Sequence, residues 1–88
     1  MNYVIESTTE ADEDLADVFM SAPAPAAVTT AMNEAEQILE RRPIGSSESL
    51  SEGLRRQKVE PILVYFRVDV GRRLVEISNI RLMAPDAS

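Results

Sequence analysis

Arg55, Arg56 and Lys58 stand within one four-residue stretch, and Tyr65, Arg67 and Arg81 follow them. Clustered guanidinium and ammonium groups bind phosphates or carboxylates. A tyrosine beside them can stack on a nucleic-acid base. The chain has no histidine and no cysteine. That excludes the Ser-His-Asp triad, thiolate nucleophiles, disulfides and zinc held by His or Cys. A hydrolase on this chain has only carboxylates, Lys58, tyrosine and arginine to work with. Purely structural roles stand beside the chemical ones. The basic run suits an edge strand guarded by charge against aggregation. Arg67 suits a cross-strand pair with Glu76 or Asp69, and Tyr65 a half-buried place in a sheet. Asp12, Glu13, Asp14 and Asp17 lack the loop spacing of a calcium site, and a helix N-terminus accounts for them without metal. No metal or other cofactor is expected.

Charge is unevenly distributed. Residues 1–40 hold nine acids and no Lys or Arg, whereas residues 41–88 hold nine cations against six acids, for a net charge of −6. This asymmetry points to an electropositive face, while the overall acidity argues against tight non-specific binding of nucleic acid. A composition 44% hydrophobic and 27% charged is that of a globular chain, and 88 residues suit one domain over 1–88. The longest uninterrupted apolar run, Ile62 to Phe66, falls far short of the roughly 20 residues that cross a bilayer. With no basic and apolar leader at Met1, a cytoplasmic protein with no membrane contact is expected.

Those side chains need elements to carry them. Asn2 to Glu6 reads as a first strand. Ser7-Thr8-Thr9-Glu10 has the form of a capping box, and Ala11, Leu15, Val18, Phe19 and Ala22 trace one helical face up to Pro23. Pro25 suits the first turn of a second helix, with Val28, Ala31, Met32, Ala35, Ile38 and Leu39 as its stripe and Pro43 as its stop. Residues 43–53, rich in Ser and Gly, read as a mobile loop. The period then changes to two. Leu54 to Val59 is a basic strand with Arg56 and Lys58 on one face and Arg55 on the other. Ile62, Val64, Phe66, Val68 and Val70 face the helices and leave Tyr65 and Arg67 on the opposite side. Asp69 to Arg72 reads as a hairpin turn with positive φ at Gly71, and Leu74 to Leu82 as the last strand. The expected fold is α+β, in the order β-α-α-β-β-β: an N-terminal strand, a helical hairpin and a three-stranded antiparallel sheet. Residues 84–88 read as a frayed tail.

The stretch Gly53-Leu54-Arg55-Arg56-Gln57-Lys58-Val59-Glu60-Pro61-Ile62-Leu63-Val64-Tyr65-Phe66-Arg67-Val68-Asp69, followed after a turn by Arg73-Leu74-Val75-Glu76-Ile77, resembles the C-terminal sheet of RelE/ParE-type toxins of bacterial toxin–antitoxin pairs. The Asp-Leu-Ala helix and the second helix before Pro43 fit the same pattern, so the resemblance spans residues 2–83. It implies a growth-inhibiting toxin neutralised by a cognate antitoxin lying over the helical hairpin or along the sheet edge. ParE-like members inhibit DNA gyrase, and RelE-like members cut mRNA on the ribosome without metal. The basic strand carries over as Arg55, Arg56 and Lys58, with Tyr65, Arg67 and Arg81 as further candidates for binding a target or a phosphate. The active-site arginine of the nucleases aligns with Leu63, and no tyrosine follows Tyr65. A ParE-like target fits these residues better than cleavage. A ribosome-dependent mRNA endonuclease, and a non-toxic interaction module that pairs with itself as a homodimer through a sheet edge, are the alternatives.

Overall fold

The structure is a computed structural model and describes residues 2–83. The expected tail at 84–88 lies outside the described residues. The elements are β1 (Val4–Ser7), α1 (Thr9–Ser21), α2 (Pro25–Arg41), β2 (Glu48–Ser51), β3 (Leu54–Val59), β4 (Ile62–Asp69) and β5 (Leu74–Leu82). All strands join one sheet in the order β1-β5-β4-β3-β2, with β1 parallel to β5 and every other pair antiparallel. The sheet therefore has five strands rather than three. The N-terminal strand is part of it, and β2 arises inside the segment expected to be a loop.

Strand β4 sits at the sheet's centre and carries the clearest alternation. Ile62, Val64 and Phe66 are fully buried, and each such side chain contributes about 2 kcal/mol on leaving water. They meet Val28, Ala31, Ala35 and Leu39 of α2, Ala11 and Val18 of α1, and Val75, Ile77 and Ile80 of β5 in one core. Small residues at 11, 31 and 35 let the helices lie close to the sheet. In β5 the register slips by one residue opposite Tyr65 and Phe66. This bulge at Ser78 lets Ile77 and Ile80, three apart, both enter the core. The Ser78 hydroxyl donates to the Tyr65 carbonyl (3.3 Å).

Helix α1 starts one residue later than the capping box implies. Thr8, not Ser7, is the N-cap, and its Oγ1 accepts from the Ala11 N–H at 3.1 Å. Ser7 is still paired to Ile77 in β1, so the helix begins only after it. β1 covers β5 only as far as Ile77. Beyond it, Asp14 of α1 accepts from the Ile80 N–H at 3.0 Å and from Asn79 Nδ2 at 3.1 Å. One acid of the N-terminal cluster thus satisfies the exposed edge of β5. Phe19, expected in the core, is 45% exposed. It lines an open groove between the two helices instead.

The turn between β4 and β5 also differs from expectation. The positive φ belongs to Arg73 (52°), not Gly71, and Asp69 Oδ1 holds the turn by accepting from the Arg72 N–H at 3.1 Å. Gly53, between β2 and β3, is the glycine in the left-handed region (φ 76°).

Phe66→Ala is expected to lower unfolding free energy by about 3–5 kcal/mol and Thr8→Ala by about 1 kcal/mol. Met20→Ala, at a side chain 83% exposed, should stay within about 0.5 kcal/mol. Urea titration of the three variants measures all of these.

Candidate functional site

The sheet face turned away from the helices is built by the same alternation that builds the core. With Ile62, Val64 and Phe66 buried, Leu63, Tyr65 and Arg67 must face the other way. Register then adds the neighbouring strands. Lys58 of β3, Leu63 of β4 and Arg81 of β5 form one row across the sheet, and Arg56, Tyr65 and Asn79 form the next. Lys58 and Arg81 lie two strand spacings apart, about 10 Å between backbones. Both are exposed, and among the described residues neither makes a side-chain hydrogen bond or ion pair.

Arg56 is paired. Its Nε and Nη2 both donate to Oε1 of Glu48, directly opposite on β2, with Nε at 2.7 Å. The Glu48 carboxylate, and after it the Tyr65 phenol, hold the Arg56 guanidinium above its ordinary pKa. Arg55 stands apart on the opposite face of β3. Its Nε donates to Ser47 Oγ at 2.7 Å, and its Nη2 to the carbonyls of Ser47 (3.1 Å) and Ile44 (3.2 Å). Arg67 makes neither of the pairs expected of it. It lies opposite Glu76 in register, but Nη1 donates to the Glu52 carbonyl at 3.3 Å. The β2–β3 turn brings that carbonyl within reach, and Asp69 is engaged instead by Arg72, through its N–H and an ion pair at 3.8 Å.

The structure therefore brings Arg56, Lys58, Tyr65, Arg67 and Arg81 onto one face and leaves Arg55 on the other. Two residues that sequence reasoning passed over join them. Asn79 enters through the bulge, which leaves no signal in a single sequence. Glu48 left only a partial signal: a regular hairpin about Glu52-Gly53 sets Ser49 against Arg56, and the register shift between Ser49 and Ser51 is what brings Glu48 there. The face offers cations, an aromatic ring and an apolar centre. Its cations can bind phosphates or carboxylates. Asp12, Glu13 and Asp17 do not converge with Asp14, and among the described residues no three acidic side chains gather as a metal set. No helix there is long and apolar enough to cross a membrane.

A second feature lies on the helical side. Between α1 and α2 runs an open groove of about 640 Å³, floored by Leu15, Phe19, Met20, Val28 and Met32 and rimmed by Asp12 and Glu36.

No protein-family model and no curated protein sequence matches the chain. Solved structures do. The structure is similar to a chain of the RelBE2 toxin–antitoxin complex from Mycobacterium tuberculosis, with a TM-score of 0.81 at 20% identity over 97% of this chain and 95% of that one. It is similar to a chain of the chromosomal ParDE toxin–antitoxin system from P. aeruginosa (0.69, 18%, 93% and 97%). The isolated E. coli RelE toxin is also similar (0.67, 9%, 97% and 88%). The fold is that of the RelE/ParE-type toxins.

Gly53 holds the turn on which Arg67 rests. A Cβ there would sit 3.0 Å from Arg67 Nη1 in a backbone with φ 76°. Gly53→Ala is expected to cost about 1–2 kcal/mol. Gly45→Ala, with nothing within 4 Å of its Cβ, should stay within about 0.5 kcal/mol. Urea titration separates the two.

Proposed function

We propose that this chain is the toxin of a toxin–antitoxin pair, acting by binding a macromolecular target through the open face of its sheet. The observation that carries the reading is the row Lys58–Leu63–Arg81: two cations, unpaired among the described residues, flank an apolar side chain at the position that the sequence resemblance aligns with the arginine of the nucleases. Such a row suits recognition of an acidic protein surface, with the charges fixing orientation and Leu63 supplying apolar contact. DNA gyrase is the target this reading expects. The cognate antitoxin covers the groove between α1 and α2. Phe19 and Met20, left exposed there, call for a partner with apolar side chains.

The row Arg56–Tyr65–Asn79 beside it favours a second reading, a ribosome-dependent mRNA endonuclease, because cations next to an aromatic ring suit a single nucleic-acid strand.

Tightly induced expression in a bacterial host tests both. Growth arrest with intact mRNA and lost DNA supercoiling is expected, and cut mRNA would favour the second reading. Lys58→Ala with Arg81→Ala should restore growth. Each removed charge-assisted contact, worth about 1.5 kcal/mol, weakens target binding roughly tenfold. Unaffected growth with abundant folded protein would defeat both readings in favour of a non-toxic interaction module.

A further inference from the structure

Three consecutive side chains of β3 are bound to three consecutive residues of the segment before and within β2. Arg55 holds Ser47, Arg56 holds Glu48, and Gln57 Nε2 donates to Ser46 Oγ at 3.3 Å. These contacts grip β3 from both of its faces. The segment they hold contributes nothing to the core: all four residues of β2 are exposed, and its pairing with β3 is irregular between Ser49 and Ser51. Gln57 is 3% exposed, and among the described residues its Oε1 has no hydrogen-bond partner. A buried amide left half satisfied weakens the hold at that point. The ion pair of Glu48 with Arg56 is solvated on both sides, and such pairs contribute little net stability.

We infer that residues 46–51 are an exchangeable strap, and that β3 beneath it is a docking edge for an acidic extended segment of a protein partner. The strap shows what the edge accepts. It is an extended chain that pairs its backbone with β3, seats one carboxylate in the Arg56 fork and offers an oxygen to Arg55. A partner strand with the same features makes the same contacts by strand addition. Charge complementarity favours a carboxylate-bearing segment, since β3 presents Arg55, Arg56 and Lys58 in four residues. The chain's own strap is tethered a few residues away, at an effective concentration in the millimolar range. A partner displaces it by adding contacts elsewhere, and the groove between α1 and α2 is a second point of attachment. The inference takes from the proposed function only that a protein partner exists.

The test uses the full chain and a labelled synthetic peptide of its own strap, Gly-Ser-Ser-Glu-Ser-Leu-Ser-Glu. Glu48→Lys sets a like charge against Arg56 and loosens the strap while leaving the core untouched. The peptide is expected to bind the Glu48→Lys protein at least tenfold more tightly than the unsubstituted one. The gain should vanish when Arg56→Glu is added, or when the peptide's first Glu is replaced by Gln. Hydrogen exchange should show faster opening of residues 46–51 in Glu48→Lys alone, with β4 and β5 still protected. Equal peptide binding by both proteins, with those strands protected, would overturn the inference. So would a gain seen for oligouridylate and not for the peptide, which would assign the edge to nucleic acid. Peptide binding does not depend on toxicity, so failure here and failure of growth arrest are separate results.

Discussion

The fold and the site both depend on the two-residue period of β4. Ile62, Val64 and Phe66 leave water only if the strand lies flat beneath the helices, and that places Leu63, Tyr65 and Arg67 on the other side. A slip of one residue would bury Tyr65 and Arg67 and expose the core, so the apolar term fixes the register of the polar face as firmly as that of the core. Because β4 is central, the constraint passes to both neighbours. β3 must present Arg56 and Lys58 beside Tyr65 and Leu63, and β5 must present Asn79 and Arg81. Hydrogen bonds then hold individual side chains, Arg56 by Glu48, Arg67 by the Glu52 carbonyl and Asn79 by Asp14. The bulge at Ser78 departs from strict alternation in β5, and it serves the core first.

The same layering explains how an acidic chain carries a basic face. Most acids of residues 1–40 lie on the two helices, on the far side of the core from Lys58 and Arg81. Helix and sheet layers stand about 10 Å apart, which equals a Debye length at ordinary salt. The sheet face is therefore locally positive although the net charge is −6. The two surfaces differ in chemistry as well as sign. The groove between the helices is apolar with an acidic rim, and the sheet face is cationic with a small apolar centre. A partner suited to one is poorly suited to the other, as expected if an inhibitor and a target bind at different places.

Much of this was legible in the sequence, wherever a single burial pattern decided the outcome. The helical stripes, the core face of β4 and the joint exposure of Arg56, Lys58, Tyr65 and Arg67 follow from periods of 3.6 and 2. What escaped was set by pairing. β2 has no apolar alternation, and its four residues are strand only because β3 offers backbone partners and Arg56 holds Glu48. The choice of Thr8 over Ser7 as the cap was decided by Ser7 remaining in β1. Phe19 fits the apolar face of α1 by spacing, but it lines the groove between the helices rather than the core. Arg67 fits a cross-strand pair by spacing, but the Glu52 carbonyl lies within its reach. Each of these required knowing which elements become neighbours.

Leu63 is the residue on which the choice between binding and catalysis turns. An interaction accelerates a reaction only if it is stronger in the transition state than in the ground state. A cation at the centre of the row could act in that way on a phosphate gaining negative charge. A leucine there carries no charge with which to act in that way. Lys58 and Arg81 flank it in the row, and Arg56 is already neutralised by Glu48. Of the carboxylates on or near this face, Glu48 is ion-paired, Asp14 is bonded to the β5 edge, and Glu76 stands exposed opposite Arg67. In the proposed reading the row serves recognition, where affinity comes from desolvating an apolar centre while charges select the partner.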